Sequence, residues 1–521
     1  MAKLKDVNTT DLVGAIRLGC QTMCRLFNAD DDDIPFFDIL ALPEARMGFS
    51  CHHSEAQVPG RFLNALLNAE DALGIRIDEQ AVDTITRAAF FAYQGAVPLP
   101  LNRQRIGGPL VNFLPTQIRE GFHALYALAR YRDSGRAREL AEASIDTIFR
   151  TWDPSDGWDY ARLQDAHGLS ILKPSSFLNG LGRTIGPLVK YFRTTGYGPA
   201  LDLAIVLKDK AVADFFPENG EYQDAHGLHG HSTTCTVSSL AQLADLTSDA
   251  PLLARVKAFY DNGLRHIRDQ IGWSIETTNP GRNYGRGEAN NTGDIVETAM
   301  ILGRWGYDEY YHDAERILRC HLLPCQLRDV SFIPEPPNPE GSDGTRDVAR
   351  RIAGSFGLPA PYGHHPVGVA EVKFNSDIVG GVVGSLCEVY REAARHDAAG
   401  HRVNLLFDHE TPAIRVRSPY THPALSVELK RPGPLFVRLP PWVSPDAIEI
   451  SGSDRPRHTG GWLFFAAPAT DRAIRIAYPL AEQEMTMRNP AGDIRVRLRG
   501  DAVTAMDDLG ADMTFFDPID R

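Results

Sequence analysis

With 521 residues, 43 % of them hydrophobic and 23 % charged, the chain has room for two or three ordinary domains or for one large closed architecture. Acidic residues (67) outnumber basic ones (54), giving a net charge of −13, and this excludes the broad basic surface that nucleic-acid binding requires. No apolar run approaches the roughly eighteen residues of a membrane span. The opening MAKLKDVNTTDLVGAIRLG lacks the apolar stretch and small-residue cleavage site of a secretory signal, so a cytoplasmic protein is expected.

Apolar residues spaced by three and four predict twelve helices, over 10–27, 58–73, 78–94, 116–132, 135–151, 175–194, 200–216, 231–247, 251–270, 294–306, 308–323 and 377–396. Leu253, Val256, Tyr260, Leu264 and Ile267 form one such stripe. Connections as short as Asp133-Ser134 and Ser248-Asp249-Ala250 favour antiparallel hairpins, while others are long and rich in Gly, Pro, His and Trp. Six hairpins with alternating short and long loops make an (α/α)6 toroid over residues 1–398, its longer loops gathered at one end. The aperiodic segment from Ile333 to Val367 reads equally as a lid or as a surface loop. After His401 the period becomes two, as in Leu425, Val427, Leu429 and in Ile494, Val496, Leu498. Eight to ten short strands with Pro, Gly, Asp and Ser between them predict an antiparallel β-sandwich over 399–521, so the fold class is mainly α with β. The seven cysteines (Cys20, Cys24, Cys51, Cys235, Cys320, Cys325, Cys387) are odd in number and have no C-x-x-C pair, which favours free, buried thiols over a disulfide framework.

The run from Gly230 to Leu264, then IGWSIE, a polar loop and ETAMILGRWGYDEYYHDAERILRCHLL, with VNLLFDHETPAIRV and PLFVRLPPWV further on, resembles the bacterial β-L-arabinofuranosidase group, glycoside hydrolase family 127. The likeness spans Gly230 to Val443. In that family a zinc held by a glutamate and three cysteines activates one cysteine of an adjacent Cys-Cys pair as nucleophile. By the resemblance this pair falls on Gly380-Gly381 and the Glu-x-Cys ligand motif on Thr292-Gly293-Asp294, so no metal and no cofactor are expected here. The family's acid/base glutamate falls on Glu276.

Glycoside hydrolysis needs two carboxyl groups flanking the scissile bond, and the stretch from Gly272 to Ala299 supplies Glu276, Glu288, Asp294 and Glu297. The pattern D-I-V-E before an apolar helix reads as a capping box, with Asp294 as N-cap and Glu297 three residues on. Glu276, beside Trp273 and away from any cap, is the better acid, because an apolar neighbour raises a carboxyl pKa. Glu288 is either a second catalytic carboxylate or the partner of Arg286. Histidines cluster in loops, as His226, His229 and His231, His52-His53, and His364-His365. A neutral imidazole can bind sugar hydroxyls as donor or acceptor. The same spacings permit zinc, though with no matching carboxylate pattern.

The expectation is a glycoside hydrolase-like enzyme working at the non-reducing end of an oligosaccharide. Glu276 is its proton donor and Asp294 or Glu288 its base or nucleophile, with His52, His53, His229, His231, Trp273 and Arg286 binding substrate. Rival readings are a lyase of the same architecture using Tyr284 and His231, or a carbohydrate-binding protein without catalysis. Neither nucleic acid nor membrane is an expected partner, and a homo-oligomer stays open.

Overall fold

A computed structural model describes residues 2–278, 287–356, 371–489, 492–508, 511 and 513–519. The short connections behave as hairpin hinges because of their own side chains. Asp133 takes the left-handed conformation (φ 49°), and Ser134 then caps the next helix by accepting from the Ala137 amide at 3.2 Å. Ser248 (φ 55°) and Asp249, which accepts from the Leu252 amide at 2.9 Å, repeat the device.

Among the described residues twelve helices build the ring: α1 (Leu12–Met23), α2 (Val58–Leu73), α3 (Glu79–Phe91), α4 (Ile118–Tyr131), α5 (Gly135–Thr151), α6 (Ile185–Thr195), α7 (Gly198–Asp214), α8 (Gly230–Thr247), α9 (Ala250–Asn262), α10 (Ala289–Arg304), α11 (Glu309–Ile317) and α12 (Asp377–Ala393). The even-numbered helices touch in a closed cycle, α2 to α4, α6, α8, α10, α12 and back to α2, and the odd-numbered ones pack outside them. The inner helices therefore run parallel, with all six N-termini at one end of the ring. Leu63, Phe122, Leu188, Leu240, Val296 and Val383, one from each inner helix, are buried in a single apolar core.

Three boundaries depart most from the periodicity. Residues 175–184 stay outside α6, because Asn179 accepts from the Ser175 amide and donates to Ser232 Oγ, holding this stretch as a loop against α8. α9 stops at Asn262 and a 3-10 turn, Leu264–His266, follows Gly263. α10 begins at Ala289, five residues before the predicted start, so Asp294 and Glu297 lie inside the helix and form no capping box. Two further short helices, Tyr160–His167 and Val348–Ile352, are not part of this cycle.

From Ala394 onward the chain is strands. One five-stranded sheet runs in the order 394–397, 400–403, 435–438, 462–465, 457–459, and a second in the order 409–410, 414–417, 425–429, 474–477, 449–451. Val403, Leu435 and Leu463 of the first pack on Ile414, Val427 and Ile476 of the second. The arrangement is not wholly antiparallel, since Gly400–Val403 and Leu435–Arg438 pair in parallel. The three-stranded sheet 482–506 joins the core of the helical part through Met487, Val496 and Val503.

A buried ionic knot ties the strands to the ring. Arg319, fully buried one turn after Glu315, donates to it at 2.9 Å while its guanidinium lies 3.9 Å from the ring of Phe407 and 3.7 Å from that of Tyr420. Glu315 also accepts from the Leu406 amide at 3.1 Å and pairs with Arg438. Breaking such a pair by removing one partner costs about 3–5 kcal/mol, because the other charge stays buried. Among the described residues no helix is long and apolar enough to cross a membrane.

Candidate active site

The polar first turn of α10 looks like loop in sequence because its side chains serve other segments. Asn291 donates to the Ile275 carbonyl at 2.9 Å and Thr292 to the Gly272 carbonyl at 2.8 Å. Asp269 meanwhile accepts from the amides of Ile271 and Trp273, both at 3.0 Å. These bonds fix residues 269–276 over the start of α8, where the Gly230 amide donates to the Glu276 carbonyl at 2.9 Å. Only glycine permits that approach, since a Cβ at residue 230 would lie 2.4 Å from the Ile275 carbonyl oxygen. Glu276 thus arrives beside His229, at the end of the ring where the six inner N-termini meet. Aligned helix dipoles favour negative charge at such a place.

Each inner helix contributes a polar residue near its N-terminus: Arg61, Arg119, Arg183 just ahead of α6, His231, Asn290 and Asp377. Three guanidiniums converge on one oxygen of Glu120, Arg119 at 2.8 Å, Arg61 at 3.1 Å and Arg183 at 3.2 Å. Burial alone would raise that carboxyl, but Arg119, Arg61 and Arg183 hold it well below the usual range. Asp377 accepts from Gln57 at 2.6 Å, with Arg61 Nε 3.6 Å away. His231 stands between two carboxylates, its Nδ1 3.5 Å from Glu288 and its Nε2 3.4 Å from Asp294. Arg183 lies 3.3 Å from the same Nδ1. Asp294 accepts from Thr234 at 3.0 Å and Glu288 from Asn290 at 2.9 Å.

The charges answer to burial. Desolvation pushes the Asp294 carboxyl up to about 7, with Arg119 opposing and Glu297, one turn on, adding to it. Burial also raises Glu288. Burial and then Arg183 push His229 down to about 4, while burial, His52 and then Arg183 push His53 down to about 3, so both imidazoles are neutral at pH 7. His53 stacks on Phe37 (centroids 4.2 Å apart) and shares a 3.0 Å hydrogen bond with Ser50; His52 meets it edge-on at 6.1 Å. A surface cavity of about 490 Å³ lies beside Glu276, walled also by Asp38, Arg46, Lys373 and Asn375. That volume is within the range of small-molecule sites.

The structure therefore gathers Glu276, Glu288, Asp294, His53, His229 and His231 at one end of the ring, with His52 at its edge. Trp273 is placed otherwise. It is 4 % exposed, part of the apolar core, with its indole against Gly287, and offers no face to a sugar. The backbone bonds from Asp269 turn it inward. Arg286, Tyr284, His364 and His365 lie outside the described residues, as does the later part of the Ile333–Val367 segment. Sequence reasoning missed Arg61, Arg119, Glu120, Arg183, Gln57 and Asp377. The available signal was a single charge set in an otherwise apolar helix, as in GRFLNALL around Arg61.

The zinc site implied by the family resemblance does not fit these residues. The residues facing Gly380-Gly381 are Asn290 and Arg61: a Cβ on Gly381 would lie 2.1 Å from Asn290 Oδ1 and 2.3 Å from Arg61 Nη1. Where a thiolate and metal would stand there is an amide and a fixed guanidinium, and all seven cysteines are free. Among the described residues, two donor sets come within 4.8 Å, His229 with His231 and Glu288, and His231 with Cys235 and Asp294. A divalent ion on either would share His231 with the Arg183 guanidinium, an unfavourable neighbour for a second cation.

A closed ring of paired helices, its polar loops over converging helix N-termini and followed by strands, is an α/α-toroid fold. Among solved structures the chain is similar to a GH127 β-L-arabinofuranosidase from Geobacillus stearothermophilus T6, with TM-score 0.55 and 13 % identity over 96 % of this chain and 80 % of that one. It is also similar to a second GH127 β-arabinofuranosidase, with TM-score 0.53 and 12 % identity over 94 % and 79 %. At such identities the likeness is one of fold. No protein-family model matches the sequence, and no curated protein does.

Proposed function

We propose that the chain is a glycoside hydrolase acting on the non-reducing terminal sugar of an oligosaccharide, with residues 1–398 as its catalytic toroid and 399–521 as a β-sandwich domain. The observation that carries this reading is the meeting of Glu276 with His229, and of Glu288 and Asp294 with His231, at the loop-bearing end of the ring. The fold shared with glycosidases supports it as analogy.

In this reading Glu276 gives its proton to the glycosidic oxygen as the bond to the anomeric carbon breaks, its electron pair leaving with that oxygen. Water adds to the anomeric carbon and its proton passes to Asp294 or Glu288. A carboxyl whose pKa lies near the working pH suits such a base. The neutral imidazoles of His53 and His229 hold sugar hydroxyls as donor and acceptor. Arg119, Arg61 and Arg183 keep Glu120 ionised and the floor of the site rigid. No step passes through a metal or a thiolate. The family likeness points to a furanoside or a related pentose or uronic sugar.

The test is incubation with a panel of oligosaccharides, following both new reducing ends and the ultraviolet absorbance of unsaturated uronides. New reducing ends without the unsaturated product support hydrolysis. The unsaturated product would move the assignment to a lyase, and binding without turnover to a carbohydrate-binding protein.

A further inference from the structure

The axis of the ring is not packed with apolar side chains. Directly below Asp294 is a chamber of about 30 Å³ to which all six inner helices contribute, room for water but not for a sugar ring. Among the described residues, four buried polar atoms on its wall have no hydrogen-bond partner: Asn64 Oδ1, Arg119 Nε, His123 Nδ1 and Asn290 Oδ1. A buried polar group left unpaired costs about 1–3 kcal/mol, and polar cavities of this size hold ordered water where apolar ones stay dry. The small residues Gly186, Gly381 and Gly384 keep the space open.

This chamber continues toward the C-terminal ends of the inner helices. Lys190, Gln242 and Glu297 line both it and a second cavity of about 270 Å³, rimmed by the partly exposed Arg193, Asp245, Arg304 and Arg391. Glu297 is held at the junction by Ser238 at 3.1 Å and Ser385 at 2.6 Å.

We infer that the ring axis is a hydrated conduit, which connects Asp294 to solvent at the end of the toroid opposite the substrate loops and supplies it with water and protons from behind. A terminal sugar filling the front of the site would block water there, and the conduit supplies what hydrolysis consumes. That use rests on the function proposed above; the conduit itself does not.

Cys235 lines the chamber and is a built-in reporter. Its thiol is pushed up to about 11 by burial, so it reacts slowly and its rate reads access. The native protein is treated with hydrogen peroxide, and oxidation of the Cys235 peptide is followed by mass spectrometry. Gln242→Phe narrows the junction and Gln242→Ala widens it, while Ile301→Trp fills the rear cavity from another helix. Either bulky variant should slow Cys235 oxidation about tenfold or more, because thiol oxidation follows access, with Gln242→Ala as fast as wild type or faster. Equal rates in wild type and both bulky variants would overturn the conduit. So would a Cys235 that stays reduced in the native protein while the unfolded chain oxidises. On a substrate found in the panel, Gln242→Phe should lower kcat with KM unchanged. Should no sugar be turned over, the hydrolase reading falls, and the peroxide rates still decide the conduit.

Discussion

Replacing Asp294 with asparagine tests whether the centre of the ring holds a proton that the unfolded chain gives up. Asp294 is 5 % exposed, and burial pushes its carboxyl from 3.8 up to about 7. Between those values the folded protein binds a proton that the unfolded one has lost. Its contribution to stability is therefore fully present below pH 3.8 and is lost as pH rises through 7. At about 1.36 kcal/mol per pH unit the gap amounts to roughly 4 kcal/mol against folding at alkaline pH. Asparagine has the same size, accepts the Thr234 hydroxyl equally well and cannot ionise. From about pH 5 to about pH 8 the stability of Asp294→Asn relative to wild type should rise by about 2–3 kcal/mol. Urea unfolding of both proteins across that window measures it, with the slope of free energy on denaturant checked for constancy. A difference that stays flat with pH would refute the raised carboxyl, and with it the fitness of Asp294 as a base near neutrality.

Three other outcomes follow from the same geometry. Glu276→Gln should lose about 10² to 10⁴ in rate on a natural glycoside, the range of general acid catalysis, and much less on an aryl glycoside whose leaving group needs no proton. Full activity on the natural substrate would transfer the role to Glu288 or Asp294. Glu120→Gln leaves three guanidiniums without their common counter-ion and should cost about 3–5 kcal/mol, read as a lower urea midpoint, with a near-neutral effect arguing that the arginines find other partners. Adding a chelator should leave turnover unchanged, since Arg61 and Asn290 stand where the family resemblance puts metal and thiolate; activity restored by zinc alone would contradict this.

Much of the helical plan is legible in the sequence because the inner and outer helices are amphipathic and their hinges carry their own caps, Ser134 and Asp249. The start of α10 was hidden because Asn291 and Thr292 spend their hydrogen bonds on Ile275 and Gly272, a tertiary use that in sequence looks like a solvated loop. The same docking makes D-I-V-E look like a cap. Glu276, Glu288 and the loop histidines announce themselves by clustering in the chain. Arg61, Glu120, Arg183 and Asp377 do not, because they sit singly on four segments and meet only when the ring closes. Trp273 is a third kind of case: an indole in a polar loop suggests a sugar platform, yet the amides bonded by Asp269 turn it into the core.

The knot of Glu315, Arg319 and Arg438 bears on how the chain is made. α11 and Arg319 leave the ribosome well before Phe407, Tyr420 and Arg438 are synthesised. Until the strands arrive, Glu315 lacks both the Leu406 amide and Arg438, and Arg319 lacks the two rings that enclose it. The last outer hairpin of the toroid therefore cannot reach its final packing during vectorial synthesis. A nascent ring waits with a polar, unsatisfied seam that invites chaperones or aggregation, and a gene truncated before the strands should yield insoluble protein although every ring helix is encoded.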